Sequence, residues 1–356
     1  MSRADMGEGL SLRSDGRPGN PVRCLVLDDW HTAEPGRITG ASAQIADCLS
    51  PVIGIATRRP PARLRPLLES LTLTLAGPQV SPSARQLVPV ADPWRSYGEL
   101  ADLIDRHPQA CLALGQLLRQ TPSLDTLQGL AAEAAVYSML LGGKEFAGWL
   151  AGPDATRSAP PHVAENRSLV SVRRDGARLS VLLDHPERRN ALSFRMREDL
   201  FEALELLSLD PTIEQAELAG RGPVFCSGGD LAEFGTAQDL VAACLVRLDR
   251  APWRLIDRMR ERVTVRVRGA AVGAGIEMAA FAGRLVAAPG TFFLLPEAAM
   301  GLVPGAGGTV SVPRRIGRWR TAWMVLSGTR VDAATALSWG LIDAIEESND
   351  RKPGAS

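Results

Sequence analysis

The chain has 356 residues, 45% of them hydrophobic and 22% charged, and is long enough for two domains, since one core seldom serves more than about 250 to 300 residues. Lys+Arg 40 balance Asp+Glu 40, which removes any general electrostatic case for nucleic acid or an anionic membrane as partner. Cys24, Cys48, Cys111, Cys226 and Cys244 are odd in number and form no C-x-x-C pair, so neither a disulfide framework nor a zinc site is indicated and a reduced, cytoplasmic protein is expected.

Residues 1–21 are rich in Gly, Ser, Arg and Asp without apolar periodicity and read as a disordered tail. Residues 22–150 read as an N-terminal α/β and helical domain. Cys24-Leu25-Val26-Leu27 and Pro51 to Ala56 are strand-like around a helix from Ala41 to Leu49, and Leu64 to Leu75 continues as helix or strand. A Pro/Ser-rich passage from Gly77 to Pro93 interrupts the pattern, and residues 99–150 then carry apolar side chains at helical spacing. Three prolines between Gly152 and Pro161 mark a linker, placed at 151–167. The second domain, 168–346, opens with a hairpin (Leu169–Val172, a turn at Asp175-Gly176, Leu179–Leu183) and a helix capped by Ser193. Further strands at Ala216–Ala219, Val263–Val267, Arg284–Ala288 and Phe292–Leu295 each lead into a glycine-bearing or acidic segment, and residues 347–356 read as a tail. The recurring order of strand, loop and helix suggests an α/β fold of stacked ββα turns.

Three segments carry the chemistry. Cys226-Ser227-Gly228-Gly229-Asp230 and Gly273-Ala274-Gly275-Ile276-Glu277 are loops running into helices, and two N–H groups converging on one oxygen would form an oxyanion hole. Either segment alone reads as an ordinary tight turn. Glu277 lies in an otherwise apolar helix, where a carboxylate without a purpose would be costly to bury, and Glu297 follows Pro296 at the end of a strand. Two carboxylates at one site can hold a water as base and acid. Other motifs fail: Pro304 to Thr309 lacks a Gly-Lys-Ser/Thr ending, and Met278 stands where a dinucleotide fingerprint wants Gly or Ala. Cys226 reads as a small buried hydrophobe, and no metal or redox cofactor is implied.

Together these segments resemble the crotonase superfamily, the enoyl-CoA hydratase/isomerase family, over about 168–346. Asp184 to Ser193, Phe225 to Leu231, Gly301 to Thr309, Pro313 to Gly317 and Ala336 to Asp343 carry the likeness. The resemblance implies a crotonase-like ββα spiral acting on an acyl-CoA, with oxyanion donors at Gly229 and Ala274 and catalytic glutamates Glu277 and Glu297. It also implies contacts to coenzyme A or substrate by Arg189, Ala191, Ser227, Gly228, Asp230, Leu231, Gly273 and Pro296, no separate cofactor, and a trimer or hexamer. Hydration is favoured because both glutamates are present. Isomerisation, thioester hydrolysis and a non-catalytic partner subunit remain as alternatives. Three departures stand out: Arg268-Gly269 replaces the family's Asn-Gly, Ala274 replaces its central glycine with a methyl that would narrow the acyl pocket, and the usual C-terminal helices are expected to be missing after Glu346. The helical stretch from Leu117 to Leu150 is similar to those helices in some members. The N-terminal half therefore reads as a structural, truncated crotonase-like unit.

Overall fold

The computed structural model describes residues 9–81, 84–153 and 167–346. It divides into two compact units. One holds the described residues up to Pro153 together with Pro296–Gly305 and Val312–Thr329, and the other holds the rest of the second half. The division is therefore not a single cut in the chain.

In the first unit, β1 (Ser11–Leu12) and β2 (Pro18–Gly19) pair as a short antiparallel hairpin, so residues 11–19 are not the disordered tail that composition suggests. Backbone pairing of Arg13 with Arg17 across the turn, and an ion pair from Arg13 to Asp105 at 2.6 Å, give these polar residues the partners that apolar periodicity would have advertised. β3 (Arg23–Val26), β4 (Val52–Ala56), β5 (Leu73–Ala76) and β6 (Leu87–Pro89) then form a parallel sheet in chain order. β4 is buried at every residue, as expected of a parallel strand covered on both faces. The crossovers are α1 (Pro35–Asp47) and α2 (Arg65–Ser70); Ile38, Ala41 and Ile45 put one face of α1 into the core. α3 (Pro93–Arg106) is capped by Asp92, whose carboxylate accepts the N–H groups of Trp94 and Arg95. α4 (Pro108–Gln120) follows, then α5 (Thr126–Leu141), opened by a capping box between Asp125 and Gln128, and α6 (Lys144–Ala151).

The second half begins with the expected hairpin, β7 (Val170–Asp175) and β8 (Arg178–Leu183), in which Leu179, Val181 and Leu183 alternate inward. α7 (Phe194–Leu209) is capped by Ser193, whose Oγ accepts the Met196 N–H at 3.2 Å. The chain continues through β9 (Gln215–Gly220), α8 (Leu240–Asp249), α9 (Pro252–Arg258), β10 (Val263–Val267), β11 (Ala270–Val272) and α10 (Ala274–Ala279). Next come β12 (Arg284–Ala287), β13 (Phe292–Leu294), α11 (Gly308–Ser327), β14 (Val331–Asp332), α12 (Ala333–Trp339) and β15 (Ala344–Ile345). Gly317, at φ 81° and ψ 155°, breaks α11.

Two sheets organise the second unit: a six-stranded one in the order β15-β12-β10-β9-β8-β7, parallel except for β7, and a three-stranded one in the order β11-β13-β14. β10 passes to β11 and α10, and β12 passes to β13 and a 3-10 turn at Glu297–Met300. Each pass thus places one strand in each sheet before a helical turn, which is the expected ββα spiral. Val263, Val265 and Val267 of β10 point into its core.

Candidate active site

The first loop is built by chain pairing. After β8 the backbone turns through Arg189 and Asn190, both at φ 52°. Asn190 makes this turn unusually well fixed, because its buried amide donates to the carbonyls of Arg221 and Val224, each at 2.9 Å, while its Oδ1 accepts the His185 N–H at 2.9 Å. Asparagine tolerates the left-handed region, and here all its polar atoms have work.

That turn then pairs with the Gly-Gly-Asp segment. Leu192 N–H donates to the Gly228 carbonyl at 2.7 Å, and Asp230 N–H donates to the Leu192 carbonyl at 3.2 Å. In this parallel bridge the paired residue is Gly229, whose own N–H takes no part and is turned away from Leu192. Ser227 N–H donates to the Arg189 carbonyl at 3.1 Å, and Ala191 is buried beside it. Asp230 caps a 3-10 turn at Leu231–Glu233 through the Ala232 N–H, and its carboxylate forms an ion pair with Arg188 at 2.5 Å. Leu231 is exposed.

The second loop lies against the first. Cys226 bridges to Ala271, and a Cβ on Gly228 would stand 3.2 Å from the Val272 carbonyl oxygen. Gly273, at φ 47° and ψ −122°, turns the chain into α10, a conformation that demands glycine. Its N–H is used by the Leu294 carbonyl at 2.9 Å. Ala274 is the first residue of α10, where a backbone N–H has no partner within the helix. The structure therefore brings Arg189, Ala191, Ser227, Gly228, Gly229, Asp230, Leu231, Gly273 and Ala274 to one neighbourhood of the second unit.

Glu277 sits one turn into α10 and is 2% exposed. Its Oε2 accepts the N–H groups of Ala306 at 2.7 Å and Gly308 at 3.0 Å, and its carbonyl accepts the Ser311 hydroxyl at 2.7 Å. Cys226 is fully buried and burial pushes its thiol up to about 12, which makes it the inert small hydrophobe its sequence context suggests. Glu297 and Pro296 fall in the first unit. There Glu297 opens the 3-10 turn, is 7% exposed, and its carbonyl accepts the Leu302 N–H at 3.0 Å.

Three contributors went unmarked in the sequence. Asn190 had only its place in the Arg-Arg-Asn-Ala-Leu-Ser run, and Arg188 had no signal of its pairing with Asp230. Glu233 accepts the Phe194 N–H with both oxygens, at 3.0 and 2.8 Å, and burial raises its carboxyl above the ordinary range. Among the described residues, no group of three or more His, Cys, Asp and Glu is placed to hold a metal ion, and no helix is long and apolar enough to cross a membrane.

The sequence model described as enoyl-CoA hydratase/isomerase matches residues 175–350. A 2,3-dehydroadipyl-CoA hydratase of Escherichia coli is 33% identical over 182 residues, which is 51% of this chain and 71% of that protein. The chain belongs to the enoyl-CoA hydratase/isomerase family. A 1,2-epoxyphenylacetyl-CoA isomerase of Escherichia coli is 32% identical over 46% of this chain and 64% of its own length. The enoyl-CoA hydratase of Thermoplasma volcanium aligns with a TM-score of 0.46 at 28% identity, over 52% of this chain and 74% of that one. Family membership thus rests on the second half, and the first half is additional to it.

Proposed function

We propose that the protein is an enoyl-CoA hydratase-like enzyme that adds water across the α,β double bond of an acyl-CoA thioester, or removes it. The observation that carries this reading is the conjunction, in one unit, of the Gly229 N–H left out of the bridge to Leu192, the helix-initiating N–H of Ala274 and the buried carboxylate of Glu277 one turn later.

In this reading the thioester carbonyl accepts from Gly229 and Ala274, and negative charge that develops on its oxygen is stabilised most where the barrier is highest. Loss of one such donor typically costs about 2.7 to 4 kcal/mol. Glu277 and Glu297 are the acid–base pair. One carboxylate takes a proton from water as the oxygen bonds to Cβ, the π electrons pass to the thioester as an enolate, and the other carboxyl returns a proton to Cα. Oε2 of Glu277 is engaged by two loop amides, which fix its carboxylate against the loop before α11. Arg189, Ala191, Ser227, Gly228, Leu231, Gly273 and Pro296 are assigned to the coenzyme A thioester and its acyl group. Asp230 serves through the turn it caps, since its carboxylate is held by Arg188.

Turnover of crotonyl-CoA and of a bulkier aryl enoyl-CoA by wild type, Glu277→Gln and Glu297→Gln tests the proposal. Hydration that falls at least about 100-fold in both variants supports a two-carboxylate mechanism. Double-bond migration without net hydration would place the enzyme among the family's isomerases. Binding of acyl-CoA with no turnover at all would overturn the catalytic reading.

A further inference from the structure

We propose that α5 and α6, from the half of the chain outside the family match, hold the Glu297 turn in its working position, with Tyr137 and the Glu145–Phe146 backbone as positioning contacts. This rests on the reading of Glu297 as a catalytic residue. All the groups concerned belong to the first unit.

The turn is gripped at two points. Gly301 ends it at φ 72°, and a Cβ there would stand 2.7 Å from Glu145 Cβ and 2.8 Å from the Phe146 backbone nitrogen. Further along, a Cβ on Gly305 would stand 2.6 and 2.7 Å from Cδ2 and Cε2 of the Tyr137 ring. Real Cβ atoms do not approach so closely, because a well-packed interior has no slack to receive them. Gly301 therefore admits no Cβ unless the Glu145–Phe146 backbone moves, and Gly305 admits none unless the Tyr137 ring moves.

The start of α6 is held in place. The Glu145 carboxylate accepts the Gln109 N–H at 2.7 Å and the Ala110 N–H at 3.1 Å, which ties the start of α6 to the start of α4. The Phe146 side chain is 1% exposed and stacks on Trp149 with ring centroids 5.9 Å apart. On the other side of the contact, the Glu297 carbonyl accepts the Leu302 N–H, next to Gly301. A shift at Gly301 is thus carried within one hydrogen bond to Glu297. Misplacement of a reacting group by about 1 Å can cost about 100-fold in rate.

The full-length chain tests this with Gly305→Ala, Tyr137→Val and the double variant, reading kcat and KM for an enoyl-CoA alongside hydrogen exchange of peptides covering 296–305. Gly305→Ala should lower kcat about 10- to 100-fold with KM within about threefold, and should raise exchange in 296–305 while 215–220 and 263–267 keep their protection. Adding Tyr137→Val gives the new methyl room and should recover most of the lost kcat and protection. A Gly305→Ala enzyme with wild-type kcat and exchange, or a double variant no better than Gly305→Ala, would overturn the proposal. Exchange that responds as stated while Glu297→Gln stays fully active would also overturn it, leaving a purely structural contact. If wild type turns over no acyl-CoA, the functional reading fails separately and carries the positioning role with it, whatever the exchange shows.

Discussion

The N–H of Ala306 donates to Glu277 Oε2 at 2.7 Å, so the side chain proposed as a catalyst also fixes the loop that starts α11. Charge and hydrogen-bond capacity can be separated here. Glu277→Gln keeps an oxygen able to accept from Ala306 and Gly308, whereas Glu277→Ala leaves two buried N–H groups unsatisfied at about 1–3 kcal/mol each. The Gln variant should keep a thermal midpoint near wild type and lose turnover at least about 100-fold. The Ala variant should lose turnover and also melt several degrees lower, by about 2–4 °C for each kcal/mol. Calorimetry beside the activity assay checks both; equal melting of the two variants would show that the loop does not depend on this oxygen.

Asn190 anchors the first loop with three side-chain hydrogen bonds at φ 52°. Asn190→Ala should cost about 2–5 kcal/mol, because it orphans the buried His185 N–H and two part-buried carbonyls and places alanine in the left-handed region. Since the turn pairs with Ser227 to Asp230, KM for an acyl-CoA should rise even at temperatures where the variant is fully folded. Denaturant melts and steady-state kinetics at low temperature measure the two effects. Unchanged stability would mean that the three bonds contribute little net energy.

Local pairing rules explain what could be read in advance. β10 and α7 were legible because valine alternation and the Ser193 cap act within a few residues, and the glycine segments because a loop before a helix must free its N–H groups. The β1–β2 hairpin was not legible, since its strands are two residues long and carry little apolar signal. Nor was the allegiance of Pro296–Gly305 and Val312–Thr329 to the first unit: the contacts of Gly301 with Glu145 and of Gly305 with Tyr137 span more than a hundred residues, and a glycine does not announce what it packs against. The linker placed at 151–167 and the tail at 347–356 fall largely outside the described residues.

His185 gives a pH dependence. It is buried behind the first loop, and burial, aided by the charges of Arg167 and Arg188 against those of Glu187 and Asp230, lowers its pKa from the ordinary 6.5. The unfolded chain then binds the proton more readily than the folded one. The stabilising contribution is full above pH 6.5 and is lost as pH falls through the lower, folded value. Denaturant midpoints should therefore decline on acidification below about 6.5, and His185→Gln should flatten that decline. Identical slopes for the two proteins would assign the decline to other groups, with His107, also lowered by burial, the next to test.

The family-matched half should not fold well by itself. Val303, Ile316, Met324, Val325 and Leu326 are buried, and their segments belong to the first unit with the N-terminal sheet and helices. Arg314 also donates to the Thr126 hydroxyl at 2.9 Å, and Arg318 to the Glu69 carbonyl. Burial of each large apolar side chain is worth about 1.5–3 kcal/mol, and a domain's net stability is only about 5–15 kcal/mol. A fragment beginning at residue 160 should accordingly aggregate, or bind a hydrophobic dye without a cooperative melt. A soluble fragment with a sharp transition and wild-type turnover would show that the N-terminal half is dispensable, and would remove the basis for assigning α5 and α6 a part in positioning Glu297.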